Sequence, residues 1–289
     1  MATAVSAQQR RLIGELCRGF RAWAPRDETR PPRPRGLLGG GFSNLNVLLA
    51  GTRRHYVLRI ARGAARGVDR RREARLLRAA AARQLAPAPL LCDPRRGLLI
   101  TPFLACDRTR DSDPAQLATL LRRIHRLPCR GPRTDAAAQL ALYRRRLPAA
   151  DPCARLLQGA GPLLAQAAAQ ARASAAPPAL CHHDLLRANR CRSGRRLLAL
   201  DWEYAAPGDP FFDLAVCASE LSEAHTAALL AHYLGGPPAP AQRRRLAAQS
   251  LLYAALEAAW WRLHGAPSER LPDAALRRLA ARLQRGIEP

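Results

Sequence analysis

The sequence contains no lysine at all: every one of its 47 basic residues is arginine, set against 22 acids for a formal charge of +25. It has a single methionine, and aromatic residues make up only 5% of the chain. No apolar stretch approaches the roughly 18 uninterrupted residues that a membrane span requires. The first residues, MATAVSAQQRR, lack the apolar core of a secretory signal. The eight cysteines never fall into a C-x-x-C pair, which argues against a zinc site or a disulfide framework in a chain this long. They read as small buried hydrophobes in a reducing compartment, so a cytoplasmic protein with no membrane partner is expected.

Two readings of the charge compete. A pI near 11.5 fits a protein that binds nucleic acid or an anionic membrane through counterion release. Alternatively, the abundance of Ala, Arg, Leu and Pro reflects GC-rich codons. The arginines are spread along the chain rather than gathered in a stripe, and no nucleic-acid module is recognisable. Compositional bias is the favoured account. Some nonspecific affinity for polyanions is expected, but no specific nucleic-acid partner.

With 289 residues, 48% of them hydrophobic, the chain suffices for two domains or one two-lobed enzyme. Residues 6–22 carry Leu12, Ile13, Leu16 and Phe20 at helical spacing. The Pro-rich stretch PRDETRPPRPRG reads as a loop. Two apolar runs, Val47 to Ala50 and Tyr56 to Ile60, flank a turn and predict a hairpin. Residues 69–83 form a helix, and a second hairpin follows around an Asp-Pro turn. Beyond about residue 105 the pattern becomes helical: 113–127, 135–147, 151–173, 212–234, 240–264 and 270–286. One short hairpin interrupts it, beside the most polar motif.

That motif is CHHDLLRANRCRSGRRLLALDWEYAAPGDPFFDL. It contains His182-x-Asp184-x4-Asn189, and Asp201 follows Asn189 by twelve residues. Phosphoryl transfer needs a carboxylate near the acceptor hydroxyl and oxygen ligands for Mg²⁺. Asp184 and Asn189 on one tight loop, with Asp201 after a hairpin turn, supply that set. Loop Asp and Asn residues are common, so the spacing alone carries little weight.

The segment resembles the aminoglycoside phosphotransferase and choline kinase superfamily. Within that superfamily it looks closest to bacterial thiamine kinases and choline kinases. The runs Leu200-Asp201-Trp202-Glu203-Tyr204-Ala205 and Gly208-Asp209 through Asp213-Leu214-Ala215 carry the likeness. The resemblance implies an α+β, protein-kinase-like bilobal fold. Residues 1–104 would form an N-lobe of small antiparallel sheet plus helix, and 105–289 a mainly helical C-lobe. It implies ATP as phosphate donor and Mg²⁺ as cofactor, with Asp184 as catalytic base and Asn189 and Asp201 as metal ligands. His182 and Asp213 would support the catalytic loop. In the N-lobe, Gly40, Gly41, Ser43 and Asn44 resemble the family's phosphate loop. Arg59 stands where many kinases place Lys, and Glu73 is its expected partner. The run Leu98 to Leu104 would be the last N-lobe strand and the hinge against which adenine bonds. Leu186 replaces a commoner His, and His183 a commoner Gly, Met or Asn.

The expected partner is a small-molecule hydroxyl acceptor, taken by a monomer or a homodimer. The C-terminal half concentrates its aromatics in Trp202, Tyr204, Phe211, Phe212, Tyr253, Trp260 and Trp261, and thiamine is favoured ahead of choline or ethanolamine because the stretch Tyr253 to His264 and the chain length resemble those of bacterial thiamine kinases. A fixed positive charge sits well over such faces. Glu203, Glu220 and Trp260 are the candidate acceptor-site residues, and Glu257 a further counter-charge. The shortage of acids ranks an aminoglycoside or amino-sugar acceptor lower. A non-catalytic nucleotide-binding regulator is the remaining alternative.

Overall fold

A computed structural model describes residues 5–39, 44–62, 68–106, 113–173, 177–265 and 271–286. The chain forms two compact units. The first comprises Met1–Arg108 and Cys191–Glu203, and the second Thr109–Arg190 and Tyr204–Pro289.

The first unit opens with helix α1 (Ala7–Arg18), capped by Ser6, whose hydroxyl accepts from the Gln9 amide. Five antiparallel strands follow: β1 (Arg33–Leu38), β2 (Asn44–Ala50), β3 (His55–Ala61), β4 (Leu91–Asp93) and β5 (Leu98–Pro102). Their order in the sheet is β1-β2-β3-β5-β4. Helix α2 (Arg70–Ala82) lies in sequence between β3 and β4. Alternation along the strands decides which face is core. Leu45, Val47 and Leu49 of β2 and Tyr56, Leu58 and Ile60 of β3 are buried against Ile13, Cys17, Phe20 and Trp23. Trp23 meets Tyr56 edge to face at 5.2 Å. Arg59 stands between Leu58 and Ile60, so the same alternation turns it to the opposite face.

The sequence reading placed a loop over residues 25–36, whereas β1 begins at Arg33. Pro34 cannot donate to a ladder, and β1 tolerates it because it is an edge strand whose register shifts between Pro34 and Gly36. The hairpin β7 (Arg190–Ser193) and β8 (Arg196–Ala199) also contributes to the first unit. There the amide of Ala199 donates to the carbonyl of Leu85 at 2.8 Å. A disulfide joins Cys106 to Cys191. This corrects the expectation of free thiols throughout: 85 residues separate the pair, and no local spacing announces it. Cys17, Cys153, Cys181 and Cys217 are buried thiols, as expected.

The second unit is mainly helical. It contains α3 (Pro114–His125), α4 (Ala136–Arg144), α5 (Pro152–Gly159), α6 (Gly161–Ala173), α7 (Pro210–Ala218), α8 (Glu223–Leu234), α9 (Pro240–His264) and α10 (Leu271–Arg285). A two-stranded ribbon, β6 (Ala179–Cys181) with β9 (Ala206–Gly208), accompanies them. The helix expected over 151–173 is two, broken at Ala160, which stands between Gly159 and Gly161. That expected over 212–234 is also two, because Ser222 caps a fresh start by accepting from the His225 amide. Many of the scarce acids serve as caps: Asp69, Asp113, Asp135, Asp151 and Asp209 each accept an amide at a helix start. Each such cap contributes about 1 kcal/mol. Among the described residues no helix is long and apolar enough to cross a membrane.

Candidate active site

The expected site residues fall into two groups, one in each unit. In the first unit, Arg59 reaches two carboxylates with its two terminal nitrogens. Nη2 bonds Oε1 of Glu73, and Nη1 lies 2.6 Å from Oδ1 of Asp201. Glu73 occupies the first turn of α2, where the helix dipole favours an acid. Its second oxygen takes Nη1 of Arg70 at 2.9 Å. The same Arg70 nitrogen bonds Glu203 at 3.0 Å, and Asn44 Nδ2 donates to that Glu203 oxygen at 3.0 Å. Asn44, Glu73 and Glu203 are all buried. The cluster therefore holds three carboxylates against two guanidinium groups, an excess of one negative charge.

The crowding shows in the ionisation of Asp201. Burial pushes its carboxyl up to about 6, helped by Glu203 and Glu73 and opposed by Arg59. Its side chain keeps 29% of its surface exposed. Asp201 also adopts a left-handed backbone, φ 57°, a conformation that costs a non-glycine residue energy and recurs at functional sites. The Arg59–Glu73 pairing is the one expected from sequence. Arg70 was missed, although it stands one helical turn before Glu73 and so on the same face. Gly40, Gly41 and Ser43 lie outside the described residues, and Asn44 is the first residue of β2.

In the second unit, β6 leads into the segment His182–Asn189. Asn189 Nδ2 donates to the main-chain carbonyl of Asp184 and to its Oδ2, both at 2.8 Å. Among the described residues no hydrogen bond reaches Asn189 Oδ1, which leaves that oxygen as its lone-pair donor. The fully buried Asp213 accepts the amides of His182 at 2.7 Å and His183 at 2.8 Å. It also lies 3.1 Å from Nε2 of His125. Burial would raise the Asp213 carboxyl, but the His125 hydrogen bond and three nearby imidazoles outweigh it and hold it at about 2. His182 is fully buried beside it. His183 has φ 63°, the second strained position of the motif. Its ring lies where a Cβ on residue 208 would have to go, which explains Gly208.

The acceptor candidates divide. Glu203 lies in the first-unit cluster described above. Glu220 accepts the amide of Arg187 at 2.6 Å and Nη2 of Arg190 at 2.8 Å. Glu257 is held by both Nε and Nη2 of Arg278, at 3.1 and 2.6 Å. Trp260 stacks on His264 at 5.0 Å and meets Trp261 edge-on at 4.9 Å. A row of rings instead starts beside Asp184: His183 lies 5.6 Å from Phe212, and Phe212 lies 5.9 Å from Tyr253. Tyr253, whose hydroxyl ionisation is pushed up by burial and then by Glu257 and Asp184, ends that row.

A family model for phosphotransferase enzymes matches residues 36–247, a span that contains both groups. The chain belongs to the phosphotransferase enzyme family. No curated protein matches it. Among solved structures, a choline/ethanolamine kinase family protein from Mesorhizobium loti is 25% identical, with 94% of each chain covered and a TM-score of 0.70. Choline kinase LicA from Streptococcus pneumoniae, also solved in complex with AMP, is 18% identical. There 97% of this chain and 100% of that one are covered, at a TM-score of 0.78. A macrolide 2′-phosphotransferase type I is 19% identical over 96% of this chain and 98% of that one, with a TM-score of 0.64. The fold of this phosphotransferase is the α+β protein-kinase-like one, with its N-terminal five-stranded antiparallel sheet and mainly helical C-terminal part.

Proposed function

We propose that this phosphotransferase moves the γ-phosphoryl group of ATP to the hydroxyl of a small amino alcohol of the choline or ethanolamine type. The observation that carries the reading is the pair of hydrogen bonds that Asn189 Nδ2 donates to the main-chain carbonyl and the Oδ2 of Asp184, which fixes a carboxylate for the acceptor and leaves Asn189 Oδ1 for a cation. Asp184 takes the hydroxyl proton as the acceptor oxygen closes on the γ-phosphorus, and ADP departs. General-base assistance of this kind contributes about 10²–10⁴-fold.

Arg59 carries a planar charged fork suited to phosphate oxygens. Glu73 holds that fork in place, and Asn44 follows directly on the glycine sequence that resembles the family's phosphate loop. Asn189 and Asp201 each offer an oxygen that would suit Mg²⁺, a hard cation that takes few protein ligands. The excess negative charge of the Asp201 cluster and the partial exposure of Asp201 fit that assignment. When bound, the ion neutralises charge on the transferring phosphate. The hinge is Leu98 to Leu104.

The acceptor reading favours choline or ethanolamine over thiamine, the sequence-based preference. It rests on the names of the similar structures and on the aromatic row His183, Phe212 and Tyr253. A quaternary or primary ammonium gains about 0.5–2 kcal/mol over such a face. Glu220 and Glu257 are already neutralised by Arg190 and Arg278, which disfavours a polycationic aminoglycoside. The test is purified protein with ATP and Mg²⁺ against choline, ethanolamine, thiamine, an amino sugar and kanamycin. Preferred turnover of choline or ethanolamine is expected. Turnover of thiamine or kanamycin alone sinks the acceptor assignment, and ATP binding with no transfer to any of them sinks the catalytic one.

A further inference from the structure

Helix α7 does more than supply the single carboxylate that the family resemblance assigned to bracing. Asp213 and Cys217 stand at i and i+4 on one face of α7, and Glu220 lies just past its C-cap Ser219, with its amide donating back to the carbonyl of Cys217 at 3.4 Å. Each bonds the main chain of the segment that carries Asp184. Asp213 accepts the amides of His182 and His183. The buried thiol of Cys217 donates to the carbonyl of Leu185 at 3.5 Å. Glu220 accepts the amide of Arg187 at 2.6 Å. The contacts run in step, so that advancing along the helix advances along the loop. Asp184 and Asn189 are thereby anchored on both sides rather than from one end.

We infer that Glu220 is a positioning residue for the catalytic loop, setting the turn Arg187–Asn189 and hence the separation of Asp184 from Asn189. The inference rests on the reading of Asp184 and Asn189 given above. Two features favour it over an acceptor counter-charge. The Glu220 oxygen that accepts the Arg187 amide is also the one held by Arg190, whose side chain is fully buried. A charge-assisted bond to a main-chain amide is about twice as strong as a neutral one. Asn189 lies two residues past that amide and itself donates to Leu186 O at 2.8 Å. Loss of the anchor therefore loosens the turn that delivers Asn189 to Asp184. Misplacement of about 1 Å at such a site costs on the order of 10²-fold in rate.

The experiment compares Glu220→Ala and Glu220→Gln with wild type, reading kcat, both KM values and amide hydrogen exchange at Arg187. For Glu220→Ala the expected result is a kcat lowered about ten- to hundredfold, with ATP KM unchanged and the Arg187 amide exchanging faster. Glu220→Gln keeps an oxygen to accept that amide and recovers most of the loss. If acceptor KM rises at constant kcat, Glu220 is an acceptor contact and the inference is wrong. It is equally wrong if kcat and the exchange rate both stay within twofold of wild type. Should wild type transfer phosphate to no acceptor, the functional reading fails by itself. The positioning inference is then decided by Arg187 exchange in Glu220→Ala, supported by acceleration and overturned by its absence.

Discussion

Nη1 of Arg59 lies 2.6 Å from Oδ1 of Asp201, although 142 residues separate them in sequence. The guanidinium thus spans from the helix that carries Glu73 to the strand end that carries a proposed metal ligand. Lysine, the residue that many kinases use here, offers one nitrogen and cannot hold both acids in this way.

Arg59→Lys is therefore expected to fold but to lose about tenfold in kcat/KM for ATP. Arg59→Met removes the charge altogether and leaves Glu73, Asp201 and Glu203 facing only Arg70. Breaking a buried pair of this kind costs about 3–5 kcal/mol. Urea denaturation of the two variants checks the difference, and equal stability of Met and wild type would show that the cluster is not held by charge.

Asp184→Asn keeps the shape of the loop and removes the proton acceptor. Turnover falls by about 10²–10⁴-fold with the ATP dissociation constant little changed. Asn189→Ala removes both hydrogen bonds from Asn189 to Asp184 and the proposed metal donor together, so its loss is partly recovered at raised Mg²⁺ or Mn²⁺. Initial rates across a metal titration separate the two variants. Wild-type rates in Asp184→Asn disprove the assigned base.

Asp213 links stability to acidity. Its carboxyl, held at about 2 in the folded chain, has an ordinary value of 3.8 when unfolded. A depressed acid stabilises fully above its unfolded value and loses that contribution as pH falls through the folded one. The contribution at neutral pH is on the order of 2 kcal/mol. Asp213→Asn is expected to lower stability at pH 7 and to flatten its decline between about pH 4 and pH 2. Denaturation midpoints over that range report it, and an unchanged slope in the variant argues against Asp213 as the source.

The Cys106–Cys191 bridge closes a loop across 85 residues of separation. Cross-links of long loops stabilise by about 2–4 kcal/mol, mainly through the unfolded chain. Reduction, or Cys191→Ser, is expected to lower the melting temperature by several degrees. Peptide mapping without reductant should recover the linked pair. Identical melting with and without reductant means the bridge does not form in solution.

The two β-hairpins of the N-terminal half, α2 and most helices were legible because strand alternation and helical spacing are local signals. Asp184, Asn189, Asp201, Arg59 and Glu73 stand out in the sequence because a motif in order survives there, and the structure pairs Arg59 with Glu73 and Asp201, and Asn189 with Asp184. What stayed hidden depends on distant partners. Glu203 and Glu220 read as acceptor-site acids, because the Arg70 and Asn44 that surround one and the Arg187 amide that holds the other come from distant segments. Trp260 stood out as an aromatic, but its partner His264 is one helical turn away and could have been read. Cys106 and Cys191 carry no spacing rule that pairs them. Strand β1 was concealed by prolines that only an edge position excuses.

The hairpin Cys191–Glu203 completes the first unit from beyond residue 190. The chain leaves the ribosome from its N-terminus, so Leu85 waits for Ala199, Cys106 for Cys191, and Arg59 for Asp201. Residues 109–190 have all been synthesised before those partners arrive. The first unit therefore cannot reach its finished state early in translation, although all five strands of its sheet precede residue 103. A stalled or prematurely ended chain exposes an arginine with half its counter-charge missing.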